Sequence, residues 1–395
     1  MALLKFLFPL LFIGFTLGEL GKIRLQDNIS LGILDILVLL IILVWILFIK
    51  KTRHQLKTPI ILFIGACIIS LLFNVFRFSS SELFEGSLYL VRWGMYAGIY
   101  FVIVDVGHKF KNSLINYMLL SGIGMLLIGF IQYFIYNDLK NLYYLGWDDH
   151  MFRLFSSYLD PNFAGTFFVL YLIFLFVIRI KFKLNKKITY LFFLLMILTF
   201  AAIILTYSRS ALLTLGASTI IYSLIKKNFK ILTGLIVAFI VILIILSPKF
   251  YIVNTNLLRF PSLGQRIEST KQALVIYSKS PVFGVGFNNY RFAREKYIQR
   301  DWVPYPSHAS AGSDNSFAFI LATTGIPGII AFLFLLYKMF KLGFINIKKN
   351  IYSLVFVVSL GGLILNSLLL NSLFYSFIMV WIWILAGLME SKKRL

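Results

Sequence analysis

Twelve apolar runs dominate this chain, at roughly 3–18, 29–49, 59–76, 83–104, 114–136, 163–180, 188–206, 210–225, 231–247, 316–337, 351–368 and 372–389. A helix needs about 20 residues to cross roughly 30 Å of hydrocarbon. Backbone inside lipid must satisfy its own hydrogen bonds, so these runs are helices rather than isolated strands. With 60% hydrophobic and 13% charged residues over 395 positions, the chain lacks the polar surface that a soluble protein of this size needs. It reads as an all-α integral membrane protein of about 12 transmembrane helices. The single cysteine, Cys67, lies inside an apolar run, which leaves no disulfide framework and no thiolate metal site. The first run has a weak basic start and no small-residue cleavage pattern near its end, so it is read as a retained helix.

A net charge of +23 would point to nucleic acid in a soluble protein, but here the placement of charge decides. With the N-terminus inside and the spans alternating, the cytoplasmic loops hold 22 of the 38 cations against two acids, Asp105 and Glu390. This is the positive-inside pattern, and it leaves no nucleic-acid partner to explain. Both termini are then cytoplasmic. The chain divides into spans one to nine (1–247), a large extracytoplasmic loop between helices nine and ten (248–314), and spans ten to twelve (315–395).

Long loops between packed helices carry function or are disordered. Residues 137–161 hold Trp147, Asp148, Asp149, His150, Arg153 and Asp160, and Asn162 follows Pro161. In the larger loop Leu263, Ile267, Thr270, Leu274 and Tyr277 recur at helical spacing, and Ser280-Pro281 ends that pattern. A surface helix is expected there, then a turn at Gly284-Val285-Gly286, then a lid-like aromatic and basic segment from Phe287 to Trp302.

Three charged residues far apart in sequence fall at the external face under this topology: Arg209, Arg266 and Asp314. Each has an ordinary explanation. Asp314-Asn315-Ser316 at a helix start is a good N-cap. Arg209 is placed like a snorkelling interfacial arginine, and Arg266 would face water or headgroups. Asp160-Pro161-Asn162 suits a turn that opens a helix as well as it suits sugar hydroxyls. Arg92, inside the fourth span, costs roughly 2.5–3.5 kcal/mol unless paired, and Asp35 lies at a compatible depth for an ion pair.

Taken in order, these elements resemble the O-antigen polymerase and ligase family. The resemblance rests on Tyr207-Ser208-Arg209-Ser210-Ala211 and on Arg266 in GQRIESTKQAL. It continues with SPVFGVGFNNY from Ser280 to Tyr290, Asp314-Asn315-Ser316 and Gly325-Ile326-Pro327-Gly328. RLFSSYLDPNFAG, residues 153–165, looks like the family's arginine followed by Asp/Asn-Pro-Asn. Ligases of the family usually carry His-Asn or His-Ser where this chain has Asp314-Asn315, and His308 is the nearest histidine; the polymerases are familiar with Asp-Asn-Ser.

The resemblance implies a GT-C-like glycosyltransferase of the bacterial cytoplasmic membrane, with the large loop periplasmic or external. The donor would be a polyprenyl-diphosphate-linked oligosaccharide and the acceptor another glycan or lipid, with membrane lipid around it and no cofactor or metal. The leaving diphosphate needs fixed cations, and guanidinium forks bind phosphate bidentately without losing their proton. Arg209 and Arg266 are expected in that role, and Asp314 as the group that takes the acceptor's proton. Arg153, Asp160, Asn162, His308, Asn315, Arg291 and Tyr290 are expected as substrate contacts, with headgroup anchoring the alternative for Tyr290, Arg291 and Trp302. Three rivals stay open: a ligase, a metal-dependent transferase using Asp148, Asp149 and His150, and a flippase or transporter. A transporter would place its polar residues at the bilayer midplane between repeated halves.

Overall fold

The structure is a computed structural model, and it describes residues 2–24, 30–181, 185–246, 255–256, 261–298 and 311–390. Thirteen α-helices follow one another among the described residues. They are α1 (Ala2–Leu17), α2 (Ile33–Phe48), α3 (Lys57–Phe73), α4 (Ser80–Ile135), α5 (Pro161–Lys181), α6 (Lys186–Leu205) and α7 (Arg209–Lys226). Then come α8 (Lys230–Leu246), α9 (Pro261–Lys279), α10 (Tyr290–Tyr297), α11 (Ser316–Asn346), α12 (Ile351–Asn366) and α13 (Ser376–Glu390). The only sheet among the described residues is a two-stranded hairpin, β1 (Lys22–Arg24) with β2 (Ser30–Gly32), in which Ile23 faces Leu31.

Short polar side chains start these helices where the apolar runs begin. Ser79 and Glu82 form a reciprocal capping box at α4, with Ser79 N–H donating to Glu82 Oε2 at 2.7 Å. Asn185 caps α6 and Asn350 caps α12, each accepting a backbone N–H through its side-chain oxygen.

Apolar side chains on both sides of a helix reveal its surroundings. Helix α2 buries Leu34, Leu37, Val38, Ile41 and Val44, yet exposes Ile36, Leu40, Leu43 and Leu47 on the opposite side. An outer face of that kind is stable against lipid and not against water. Six described segments are long and apolar enough to cross a membrane: Ala2–Gly21, Ser80–Val106, His108–Ile135, Pro161–Ile180, Lys186–Leu205 and Ser316–Asn346. Helices α2, α3, α12 and α13 are shorter and also apolar. The centre of the bundle is α12 with α13. Every residue of α13 from Phe377 to Glu390 is buried, as expected of a helix apolar all round that other helices enclose.

The two arms of α4 run in opposite directions. Helices α1 and α2 form an antiparallel pair, Gly14 lying on Ile33 and Leu37. Phe8 packs on Phe110 and Thr16 on Gly124, whereas Asp35 bonds Tyr96 and Trp45 Nε1 donates to Asp105 at 2.8 Å. The chain therefore turns back between Asp105 and Phe110, where the sequence pattern expects a basic loop between two spans. The ion pair expected for Arg92 forms with Asp35 at 3.1 Å, and Arg92 also donates to the Ser30 carbonyl. It ties the hairpin to α4.

The surface helix expected in the large loop is α9, and it stops at Lys279, before Ser280-Pro281. The glycines that follow are docked into a break in α11. Gly325 sits at φ +66°, outside helical geometry, and Pro327 has no N–H to continue the ladder. The freed carbonyls of Ala322 and Thr323 accept from Val285 N–H and Gly286 N–H, both at 3.0 Å. Gly284 is itself at φ +66°, and a Cβ there would collide with the backbone of Thr323 and Thr324. We expect Gly284→Val to strain the backbone and overpack this seam, each costing about 1–3 kcal/mol. The check is the unfolding temperature in detergent, which falls for Gly284→Val and stays near wild type for Gly264→Ala, whose Cβ would meet open space.

Candidate active site

The site forms at one end of the bundle, where the starts of α5, α7 and α11 meet the end of α12 and one face of α9. A continuous chain of hydrogen bonds joins them. Asn366, fully buried at the end of α12, donates through Nδ2 to the Ser210 carbonyl at 3.2 Å and to Thr214 Oγ1 at 2.8 Å. The next residue, Ser367, accepts from Ser316 N–H at 2.8 Å. Helix α12 thus fixes the first turn of α7, which begins at Arg209, against the first turn of α11. On the other side Asp314 N–H donates to Ser269 Oγ at 3.0 Å. Ser269 lies one turn after Arg266 on α9, so Arg209, Arg266 and Asp314 are gathered around one point.

The cap of α11 is Asn315 and not Asp314. Asn315 Oδ1 accepts from Phe317 N–H at 2.9 Å and Ala318 N–H at 3.1 Å. Among the described residues nothing donates a hydrogen bond to the Asp314 carboxylate. Burial raises the Asp314 carboxyl above the usual aspartate range; Arg266 opposes the rise, and Asp160 and Asp148 add to it. Burial also lowers the Arg266 guanidinium, with Asp314 opposing and the neighbouring Arg209 reinforcing. An arginine stays charged through such a shift. Arg266 and Asp314 therefore feel one another without a contact ion pair, half-buried and facing the same space.

Arg153 is 3% exposed and held from several directions. Its Nε donates to the Thr206 carbonyl at 2.8 Å and its Nη2 to Asn162 Oδ1 at 3.2 Å. Ser208, the cap of α7, also donates to Asn162 Oδ1, at 3.0 Å. Arg153 and Asn162 thus brace the turn that presents Arg209. Asp160 Oδ1 accepts from Asn162 N–H at 2.6 Å and caps α5, whose first residue is Pro161. The helix-opening turn is the role these contacts give it, while its charge still reaches Arg266 and Asp314.

One expectation needs correcting. Tyr290 is 1% exposed, packed on Phe319 with its hydroxyl toward the Ser269 carbonyl at 3.5 Å, so neither a sugar nor a headgroup stacks on it. Burial pushes its phenol up to about 12, which keeps it a hydrogen-bond donor beneath the site. Arg291, next on α10, is half-buried. His308 and Trp302 lie outside the described residues. Asp148, Asp149 and His150 do not converge: no group of three or more His, Cys, Asp or Glu among the described residues is spaced to hold a metal ion.

Four contributors escaped the sequence reading: Gln132, Ser269, Asn366 and Ser367. Gln132 Oε1 accepts from Phe155 N–H at 2.8 Å and its Nε2 donates to the Arg153 carbonyl at 3.2 Å, which shapes the segment carrying Arg153. The available signal for Asn366-Ser367 was a polar pair interrupting the run LILNSLLL.

No curated protein matches this chain. Residues 194–333, from α6 through the broken helix α11, match the family Wzy_C, described as O-antigen ligase. The matched stretch contains Arg209, Arg266, Ser269, Gly284 and Asp314, and over these residues the chain is similar to that family, which supports an assignment to the O-antigen polymerases and ligases.

Proposed function

We propose that this protein polymerises glycan repeat units at the outer face of the bacterial cytoplasmic membrane. It takes them from a polyprenyl-diphosphate carrier and joins them to another lipid-linked glycan. On this reading twelve spans cross the bilayer: α1 to α3, the two arms of α4, α5 to α8, and α11 to α13. Residues 248–314 lie outside, both termini lie in the cytoplasm, and 1–247 and 315–395 form the membrane domain.

The observation that carries this reading is Asp314: a half-buried carboxylate released from capping by Asn315, with a raised proton affinity, beside Arg266, which Arg209 in turn neighbours. The acceptor hydroxyl oxygen attacks the anomeric carbon of the donor. Its proton passes to the Asp314 carboxylate as the bond from that carbon to the diphosphate oxygen breaks. The electron pair leaves with polyprenyl diphosphate, whose growing charge Arg209 and Arg266 stabilise. A single displacement inverts the anomeric centre. The leaving group is already a stable anion, so the reaction runs without a metal ion.

The Asp-Asn-Ser sequence at 314–316, in place of His-Asn or His-Ser, favours a polymerase. The description of the matched family favours a ligase that transfers the glycan to lipid A core, protein or wall polymer. Purified protein in lipid with a polyprenyl-diphosphate oligosaccharide as sole glycan separates the two. The polymerase gives a ladder of regularly increasing size. Transfer that begins only when a second acceptor is added makes the protein a ligase, and no transfer under either condition ends the enzyme reading.

A further inference from the structure

The opposite end of the bundle holds a second polar feature that the transfer chemistry does not use. Glu390 closes α13 there, and Asp105 sits where the arms of α4 turn back. Between them and the connection from α2 to α3 lies a cavity of about 870 Å³, lined by Lys50, Arg53, His54, Asp105, Lys109 and Glu390, among others. Such a volume falls within the roughly 300–1,000 Å³ of small-molecule sites.

Both carboxylates of the cavity are already occupied by local donors. Asp105 accepts from Trp45 Nε1 at 2.8 Å, from Thr52 N–H at 3.0 Å and from the Thr52 hydroxyl, and it meets His54 Nε2 at 3.1 Å. Glu390 accepts from Gln55 N–H at 3.1 Å and from the Tyr100 hydroxyl. Lys50, Arg53 and Lys109 meet no carboxylate at ion-pair distance among the described residues. Helix α3 also opens here, with no side-chain cap on its first turn and Thr58 on the cavity wall. Its backbone adds little, because Lys57 N–H and Ile60 N–H already donate to the His54 and Leu56 carbonyls and Pro59 has no N–H.

We infer that this cavity binds a phosphate-bearing anion, with Lys50, Arg53 and Lys109 as its cations. A basic pocket between membrane helices on this side suits a lipid headgroup. A soluble phosphate compound presents the same chemistry, so the source is decided by experiment. The plain alternative is that these cations merely belong to the general positive charge of this end. Lys186, Lys187 and Lys230 provide the control, because they stand at the same end and outside the cavity.

Full-length protein stripped of lipid in detergent is titrated with phosphatidylglycerol and, separately, with inorganic pyrophosphate. Binding is read by native mass spectrometry and by the rise in unfolding temperature. We expect one of the two to bind wild type on the order of 100-fold more tightly than Lys50→Gln/Arg53→Gln/Lys109→Gln, three cations each contributing about fivefold. A preference for phosphatidylglycerol identifies a lipid site, and a preference for pyrophosphate identifies a soluble ligand. Lys186→Gln/Lys187→Gln/Lys230→Gln should bind as wild type does. The charge-preserving Lys50→Arg/Arg53→Lys/Lys109→Arg should retain most of the affinity, which separates lost charge from lost folding. The proposal is overturned if neither ligand distinguishes wild type from the cavity variant, or if the control variant loses as much.

Discussion

Replacing Arg266 by alanine is expected to slow glycan transfer on the order of 10²–10³-fold, the usual cost of one preorganised donor at a developing negative charge. The same holds for Arg209→Ala. The two guanidinium groups repel one another, Arg209 adding to the lowering of Arg266, and on the proposed reading a diphosphate between them would relieve that repulsion. Their effects are therefore not independent, and the double variant should lose less than the product of the two single losses. Arg266→Lys is the sharper test. Lysine brings a compact point charge without the planar fork, and its ammonium loses its proton far more readily when desolvated. Transfer by Arg266→Lys should stay close to that of Arg266→Ala and recover partly as the pH is lowered. Steady-state rates on a lipid-linked oligosaccharide check both statements.

Asp314→Asn is expected to lower transfer by roughly 10²–10⁴-fold, the range of a positioned general base. Two further measurements separate this role from a structural one. Burial raises the carboxyl, so wild-type activity should fall as pH drops through a point above the ordinary aspartate range, and the variant should lack that limb. For stability the sign is opposite to that of a salt-bridged aspartate. A group whose folded affinity for protons exceeds its unfolded one contributes stability at low pH, and that contribution is lost as pH rises through the folded pKa. At neutral pH ionised Asp314 is therefore a burden, and Asp314→Asn should unfold at a temperature equal to or above that of wild type while being nearly inactive. A residue that served as the helix cap would give the reverse, and Asn315→Ala is expected to do so, destabilising by about 1 kcal/mol.

Much of the architecture can be read from the runs of Leu, Ile and Phe, because hydropathy reports depth in the bilayer directly. Surface helix α9 was legible from its spacing and from Ser280-Pro281. The start of α7 at Arg209 lies one residue before the apolar run that opens at 210. What hydropathy does not encode is which helices are neighbours. The bond from Ser269 to Asp314 spans 45 residues and the bond from Asn366 to Ser210 spans 156, and no local pattern predicts either. The same limit explains Asp314 and Asn315. Both residue types cap helices, and only the backbone geometry at Phe317 and Ala318 gives the cap to the second of them. Gly284 was visible as a turn former, but the break in α11 at Gly325 and the meeting of the two glycines there were not. Tyr290 was placed wrongly for a related reason: an aromatic in a basic, wet segment looks exposed until its neighbour Phe319 is known.

The central claim is that Arg209 and Arg266 stabilise a departing diphosphate while Asp314 takes the acceptor's proton. The most direct measurement counts polyprenyl diphosphate released per glycosidic bond formed, in purified wild type and in Arg209→Ala/Arg266→Ala. The account predicts one carrier released per bond in wild type and loss of both products together in the double variant. Bond formation at the wild-type rate in the double variant, or carrier release without a new bond in wild type, would contradict it.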